Sequence, residues 1–170
     1  MEILLAKSAG FCFGVNRAIE AVYKAIDGKD DIYTYGPIIH NKIVTKELES
    51  KGVKCVDTID GIEKGTIVLR SHGVGKNIYD IINEKGLKII DGTCPFVKKI
   101  HDIVNDEYKN GARIIIIGDR EHPEVIGING WCENSAFIFK SLDEAENFAP
   151  EEGKKYTVVV QTTFRKSLFD

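Results

Sequence analysis

Short runs of β-branched and aromatic residues alternate with helical stripes along nearly the whole chain, and six strand-to-helix junctions end in a chemically capable residue. Residues 2–6 lead to Cys12, and Ile32–Tyr35 leads to His40. Residues 67–69 lead to His72, and 88–90 to Cys94. Arg113–Ile117 leads to His122 and Glu124, and Tyr156–Val160 leads to Gln161, Thr162 and Thr163. Such alternation predicts an α/β fold of mainly parallel sheets flanked by helices. In parallel sheets, ligands bind beyond the carboxyl ends of the strands. Reactive groups gathered on that one rim therefore predict a shared site.

The helical stripes can be placed by their punctuation. Val15, Ala18, Ile19, Val22 and Ile26 form one face after Cys12, and Gly28 suits the exit. Asn41 is a natural cap for a helix carrying Ile43, Val44 and Leu48. Ile78, Ile81 and Ile82 mark a third helix. Thr93, with Pro95 at an early helical position, introduces a fourth through Val97, Ile100, Ile103 and Val104. Ser141-Leu142-Asp143-Glu144 is a capping-box pattern. Element counting predicts two similar lobes sharing a cleft, residues 1–93 and 94–170, with no low-complexity linker between them. Residues 2–6 are expected as a first strand. Val158-Val159-Val160 is expected as a buried strand, and residues 164–170 barely begin the helix that should cover it. The chain thus reads as stopping short of its covering element.

Charge and composition exclude some classes of partner. With 170 residues, 43% hydrophobic and a formal net charge of -3, the chain can bury a real core and carries no general basic field for nucleic acid. No apolar stretch is long enough to span a bilayer, and the first residues are too short and too acidic for a signal peptide. A cytoplasmic location is the expectation. The four cysteines, at 12, 55, 94 and 132, show no CxxC spacing, and in a reducing compartment they favour metal binding or catalysis over disulfides. Cys55 lies in a strand pattern and Cys132 follows Trp131 near an apolar stretch, so both read as packing residues.

Cys12 and Cys94 differ because glycine or proline surrounds each. Gly10-Phe11-Cys12-Phe13-Gly14 puts a thiol at a helix entrance, where the exposed N–H groups stabilise thiolate, and Thr93-Cys94-Pro95 repeats the arrangement. Together they predict a shared metal or cluster. His40 stands before its helix cap, His72 lies in Arg70-Ser71-His72-Gly73, and His122 opens His122-Pro123-Glu124. Imidazoles beside helix entrances suit an anionic phosphate. Glu124 could equally complement a helix dipole, and Thr162 could be a cap. His101 falls inside a helical run and reads as structural or surface. No P-loop, strand-borne GxGxxG or HExxH occurs.

In these segments the chain resembles the 4-hydroxy-3-methylbut-2-enyl diphosphate reductase family, also called the LytB/IspH family. The matching motifs are Ala9-Gly10-Phe11-Cys12-Phe13-Gly14-Val15, Ile39-His40-Asn41, Ser71-His72-Gly73-Val74, Thr93-Cys94-Pro95-Phe96-Val97, His122-Pro123-Glu124-Val125 and Gln161-Thr162-Thr163, in family order. The resemblance implies an oxygen-sensitive iron–sulfur oxidoreductase of the non-mevalonate isoprenoid pathway. Cys12 and Cys94 would be metal ligands, two of three cysteines holding a 4Fe-4S cluster. His40, His72 and His122 would bind the diphosphate of 4-hydroxy-3-methylbut-2-enyl diphosphate. Glu124 and Thr162 would be catalytic and would also touch substrate, Glu124 delivering protons and Thr162 orienting the hydroxyl and Glu124. Ferredoxin or flavodoxin would supply electrons, and the products would be isopentenyl and dimethylallyl diphosphate.

The family's full enzyme has three lobes, and its third cluster cysteine and Ser-x-Asn diphosphate motif match no segment here; neither Cys55 nor Cys132 fits that cysteine. The chain is therefore expected to supply the first two lobes, to lack the third, C-terminal lobe, and to be inactive alone or to bind a cluster weakly. Residues 2–6 could then pair within the missing lobe. The competing expectation is a non-catalytic metal- or anion-binding fragment associating with that lobe, for example through a zinc site of Cys12, Cys94 and two loop histidines.

Overall fold

The computed structural model describes residues 2–4, 6, 9–28 and 30–165. Helix α1 (Phe13–Ile26) is followed by β1 (Ile32–Tyr35), α2 (Lys42–Ser50), β2 (Lys54–Val56), β3 (Thr66–Leu69), α3 (Lys76–Glu84) and β4 (Lys88–Asp91). These four strands form one sheet in the order β2-β1-β3-β4, with every neighbouring pair parallel. Next come α4 (Pro95–Lys109), β5 (Arg113–Ile117), α5 (Pro123–Asn129), a 3-10 turn at Gly130–Cys132, β6 (Phe137–Phe139), α6 (Leu142–Glu146) and β7 (Tyr156–Val160). The second sheet runs β6-β5-β7 and is also wholly parallel.

The strand order decides where a ligand can sit. The connection leaving β1 runs to β2 on one side, whereas that leaving β3 runs to β4 on the other. A crevice opens at the carboxyl ends of strands whose connections diverge in this way. In the second sheet β5 likewise sends its connection to β6, away from β7.

Helices on both faces bury the central strand β3 on both sides, whereas the edge strand β7, expected to be buried, buries only Val159 and leaves Val158 52% exposed. All four residues of β3 are buried. Val68 packs with Ala18, Val22 and Leu48, while Ile67 and Leu69 point the other way, to Val74, Ile82 and Leu87. Full burial of each such side chain contributes about 1.5–3 kcal/mol. The second core joins Val104 of α4 to Ile114, Ile116, Val125, Ile128 and Val159. Asn41 caps α2, its Oδ1 accepting from the N–H of Ile43 at 3.0 Å and of Val44 at 3.2 Å. Ser141 caps α6 as the box pattern implies, but Glu144 returns its bond to the N–H of Lys140, one residue earlier.

The two sheets meet along a seam of glycines. A Cβ on Gly130 would come within 2.5 Å of Gly75 Cα, and one on Gly127 within 3.3 Å of the Gly73 carbonyl oxygen. Only glycine lets the two backbones approach so closely. Trp131 locks the seam, its Nε1 donating to the Val74 carbonyl at 2.9 Å and its ring stacking on His101 at 5.3 Å.

Three expectations differ from this structure. The described residues of 2–6 carry no strand, and Ile3 and Leu4 are 78% and 86% exposed. An apolar run becomes a strand only where a neighbour takes its backbone hydrogen bonds, and no described strand does so. Cys94, not Thr93, is the N-cap of α4, with Pro95 in the first turn as expected. Strand β6 follows Trp131 and Cys132 where only an apolar stretch was legible. The helix start read over residues 164–170 lies largely outside the described residues; Phe164 and Arg165 are not helical. Among the described residues, no helix is long and apolar enough to cross a membrane.

Candidate functional site

His40 leaves β1 just before the α2 cap, and His72 leaves the neighbouring strand β3, so the diverging pair of strands supplies both rings. The turn after His72 needs a residue that tolerates φ of +72°, and Gly73 provides it. His122 comes from the other sheet as the N-cap of α5. The seam brings the three imidazoles together: centroids are 4.6 Å apart for His40–His72, 5.6 Å for His72–His122 and 6.4 Å for His40–His122. Phe11, Val15, Ile39, His40, Asn41 and His72 border a cavity of about 260 Å³.

The cluster is electrostatically unfinished. Burial, followed by the neighbouring His40, Arg70 and His122, lowers the His72 pKa to about 4, so the ring is neutral near pH 7. Its Nδ1 is buried without a hydrogen-bond partner, as is Nε of Arg70. Burial also lowers the Arg70 pKa. Unpartnered donors beside the Arg70 guanidinium favour an anion. The His122 Nδ1 accepts from the Glu124 N–H at 3.1 Å. Neutral His122 therefore carries its proton on Nε2 and presents a donor. Ligand atoms of the three histidines lie within 4.8 Å of one another, close enough for a metal ion, but that tautomer removes the lone pair a metal would need.

Glu124 is 2% exposed at the start of α5. Its two carboxylate oxygens accept from Thr162 N–H at 2.6 Å and Thr162 Oγ1 at 2.7 Å. Thr162 follows β7, so the adjacent strands β5 and β7 deliver the pair. Gln161, read with it as a rim group, is instead a structural tie. It accepts from the Asp119 N–H at 3.0 Å and donates to Thr163 Oγ1 at 2.8 Å.

Cys12 and Cys94 are the N-caps of α1 and α4, and neither side chain caps its helix. Both thiols are free. A Cβ on Gly14, two residues beyond Cys12, would come within 2.7 Å of Cys94 Sγ, so the first turn of α1 lies directly against the second thiol. The Cys94 N–H donates to the Ser71 carbonyl at 2.9 Å, which ties this thiol to the turn bearing His72. Among the described residues the three histidines are the one compact set of possible metal ligands, so the zinc arrangement of two cysteines and two histidines is not assembled. Cys55 sits in β2 and Cys132 is buried in the second core, where burial raises its thiol pKa. His101 is 1% exposed, stacked on Trp131 and lying against Gly73 in the turn that bears His72. The close approach of Gly14 and the Gln161 tie escaped the sequence reading, since only tertiary register shows either one.

Fold and site together define an α/β protein of two parallel sheets that gathers three imidazoles beside a pair of free thiols. The LytB protein family matches residues 3–170, and the chain belongs to that family. It is 50% identical over 99% of its length to the 4-hydroxy-3-methylbut-2-enyl diphosphate reductase of Clostridioides difficile (strain 630), covering 61% of that relative. It is 51% identical to the reductase of the same name from Caldanaerobacter subterraneus, over 96% of the chain and 58% of the relative. The solved E-1-hydroxy-2-methyl-but-2-enyl-4-diphosphate reductase from Plasmodium falciparum superposes with a TM-score of 0.89 at 32% identity, over 96% of this chain and 52% of that one. The chain thus spans about 60% of the length of these two curated relatives.

Proposed function

We propose that this chain supplies the substrate cage and two cluster ligands of a 4-hydroxy-3-methylbut-2-enyl diphosphate reductase. The observation that carries the reading is the convergence of His40, His72, His122 and the Glu124–Thr162 pair from two sheets onto one rim, beside Cys12 and Cys94. The division into lobes at residues 93 and 94 belongs to the same proposal, with α4 opening the second lobe. A further lobe, like the remainder of the relatives' length, completes the site.

Two free thiols on adjoining helix caps, with a glycine where a side chain would collide with sulfur, suit ligation of a shared iron–sulfur group. Cys12 and Cys94 would hold a 4Fe-4S cluster, which supplies electrons and a Lewis-acidic iron when bound. His40, His72 and the Nε2–H of His122 hold the diphosphate and position the allylic carbon. Glu124 passes a proton to the departing hydroxyl, and the two bonds from Thr162 keep its carboxyl aimed. The carbon–oxygen bond breaks with uptake of two electrons and two protons. One proton leaves in water, and the other is added to the allyl carbon skeleton as isopentenyl or dimethylallyl diphosphate forms. Ferredoxin or flavodoxin is the proposed donor, in a reducing cytoplasm that suits the four free thiols.

The test is Glu124→Gln in the cluster-loaded protein assembled with the remaining lobe of a relative. Turnover with a reduced viologen is expected to fall by about 100-fold or more, with iron content and pyrophosphate affinity kept. Normal turnover in that variant removes Glu124 from proton delivery.

A further inference from the structure

Arg17 lies on α1 five residues beyond Cys12, and its side chain leaves its own helix to grip the turn that carries the second thiol. Nη1 donates to the Thr93 carbonyl at 2.8 Å and Nη2 to the Asp91 carbonyl at 3.4 Å. Thr93 immediately precedes Cys94. The same turn is held elsewhere by the Thr93 N–H on Asp91 Oδ1 at 3.0 Å and by the Cys94 N–H on Ser71. It has little room to move, because a Cβ on Gly92 would lie 2.3 Å from the Leu69 carbonyl oxygen. All those other restraints tie the turn to itself or to the sheet. Among the side-chain hydrogen bonds of the described residues, only those of Arg17 join it to the helix that Cys12 caps.

We infer that Arg17 is a positioning residue that sets the register between the Cys12 and Cys94 thiols. The inference rests on the reading of those thiols as joint ligands. A planar guanidinium reaches the Asp91 and Thr93 carbonyls of one turn with a fixed fork, whereas an ammonium is a point donor on a flexible stem. Without the fork, only the packing of Ala18 and Val22 in the core and of Gly14 on Cys94 sets α1 against the turn, and two thiols that must close on one group lose preorganisation. A purely structural arginine would affect stability and leave the thiols' cooperation intact.

The experiment uses phenylarsine oxide, whose arsenic–oxygen bond is replaced by two arsenic–sulfur bonds with release of water and no change of oxidation state. It is run on this chain with Cys55→Ser, which removes the other accessible thiol, and Cys12–Cys94 bridging is read by peptide mass. Single-thiol alkylation of Cys12 and Cys94 is measured in parallel, with circular dichroism to follow the fold. Arg17→Met should weaken bridging about tenfold while alkylation and dichroism stay at parent levels, with Arg17→Lys in between. Bridging equal to the parent overturns the role of Arg17 alone. Bridging and alkylation changing in step with lost dichroism overturns it too, by making Arg17 structural; if Arg17→Met fails to fold, Arg17→Lys is judged by the same outcomes. A parent protein that cannot be bridged overturns both this inference and the shared-ligand reading.

Discussion

Gly130→Ala tests whether the glycine seam sets the site. The added Cβ would stand 2.5 Å from Gly75 Cα, about 0.9 Å inside the 3.4 Å at which ordinary contact begins. The obstructing atom is backbone, so no side-chain rotation relieves it. Gly75 is itself the N-cap of α3, and Trp131, next to Gly130, is bonded to Val74, so neither side yields alone. Overpacking of this kind costs about 1–3 kcal/mol. For a chain of this size that is a fall in Tm of roughly 2–12 °C. The seam also holds His122 against His72, so pyrophosphate affinity should fall along with stability. Thermal denaturation followed by dichroism and by the emission of Trp131, the sole tryptophan, measures the first effect, and calorimetric titration the second. An unchanged Tm with unchanged Trp131 emission would refute the seam as a rigid spacer between the lobes.

Two proton-linked effects follow. Pyrophosphate bound among the histidines should raise the His72 pKa from about 4, so binding takes up protons and tightens as pH falls from about 6.5 towards 4. Full recovery to the ordinary value would be worth about 300-fold, and screening of a partly exposed ring brings the expected gain nearer tenfold. Calorimetry in buffers of different ionisation enthalpy should show uptake that His72→Asn removes; equal uptake in both proteins would contradict the cage. His101 concerns stability. Burial lowers its pKa to about 4, so below pH 6.5 the unfolded chain takes a proton that the folded chain refuses. Stability from this group is complete above about pH 6.5 and is lost as pH falls towards 4, by about 3 kcal/mol. Urea unfolding at both ends of that window should show a steeper loss in the parent than in His101→Gln, and equal slopes would count against the buried neutral ring.

The legible parts of the fold were those with continuous β-branched runs. Ile32–Tyr35, Arg113–Ile117 and Tyr156–Val160 are strands with those limits, although Tyr156–Val160 buries only Val159 and leaves Val158 exposed. Asn41 and Ser141 declared their helices because an N-cap is a local hydrogen-bonding device. Strand β6 was not legible, since three residues show no period. The apolar character of residues 2–6 is not enough for a strand, because a strand is a property of a pair and no described strand takes up their hydrogen bonds. At the site, strand-end position was enough to group His40, His72, His122, Glu124 and Thr162, and the motifs named the family. Distances between sheets were not accessible that way. The Gly75–Gly130 approach, the Trp131–His101 stack and the reach of Arg17 to Thr93 all depend on how separate elements dock.

The most direct measurement is anaerobic reconstitution with iron and sulfide of this chain together with the remaining lobe of a relative, comparing it with Cys12→Ser and Cys94→Ser. The proposal predicts about four iron and four sulfide per complex with a visible charge-transfer absorption, both lost in either variant while the fold persists. Equal iron, sulfide and absorption in the variants would contradict the assignment of these two thiols, and with it the reductase site proposed for this chain.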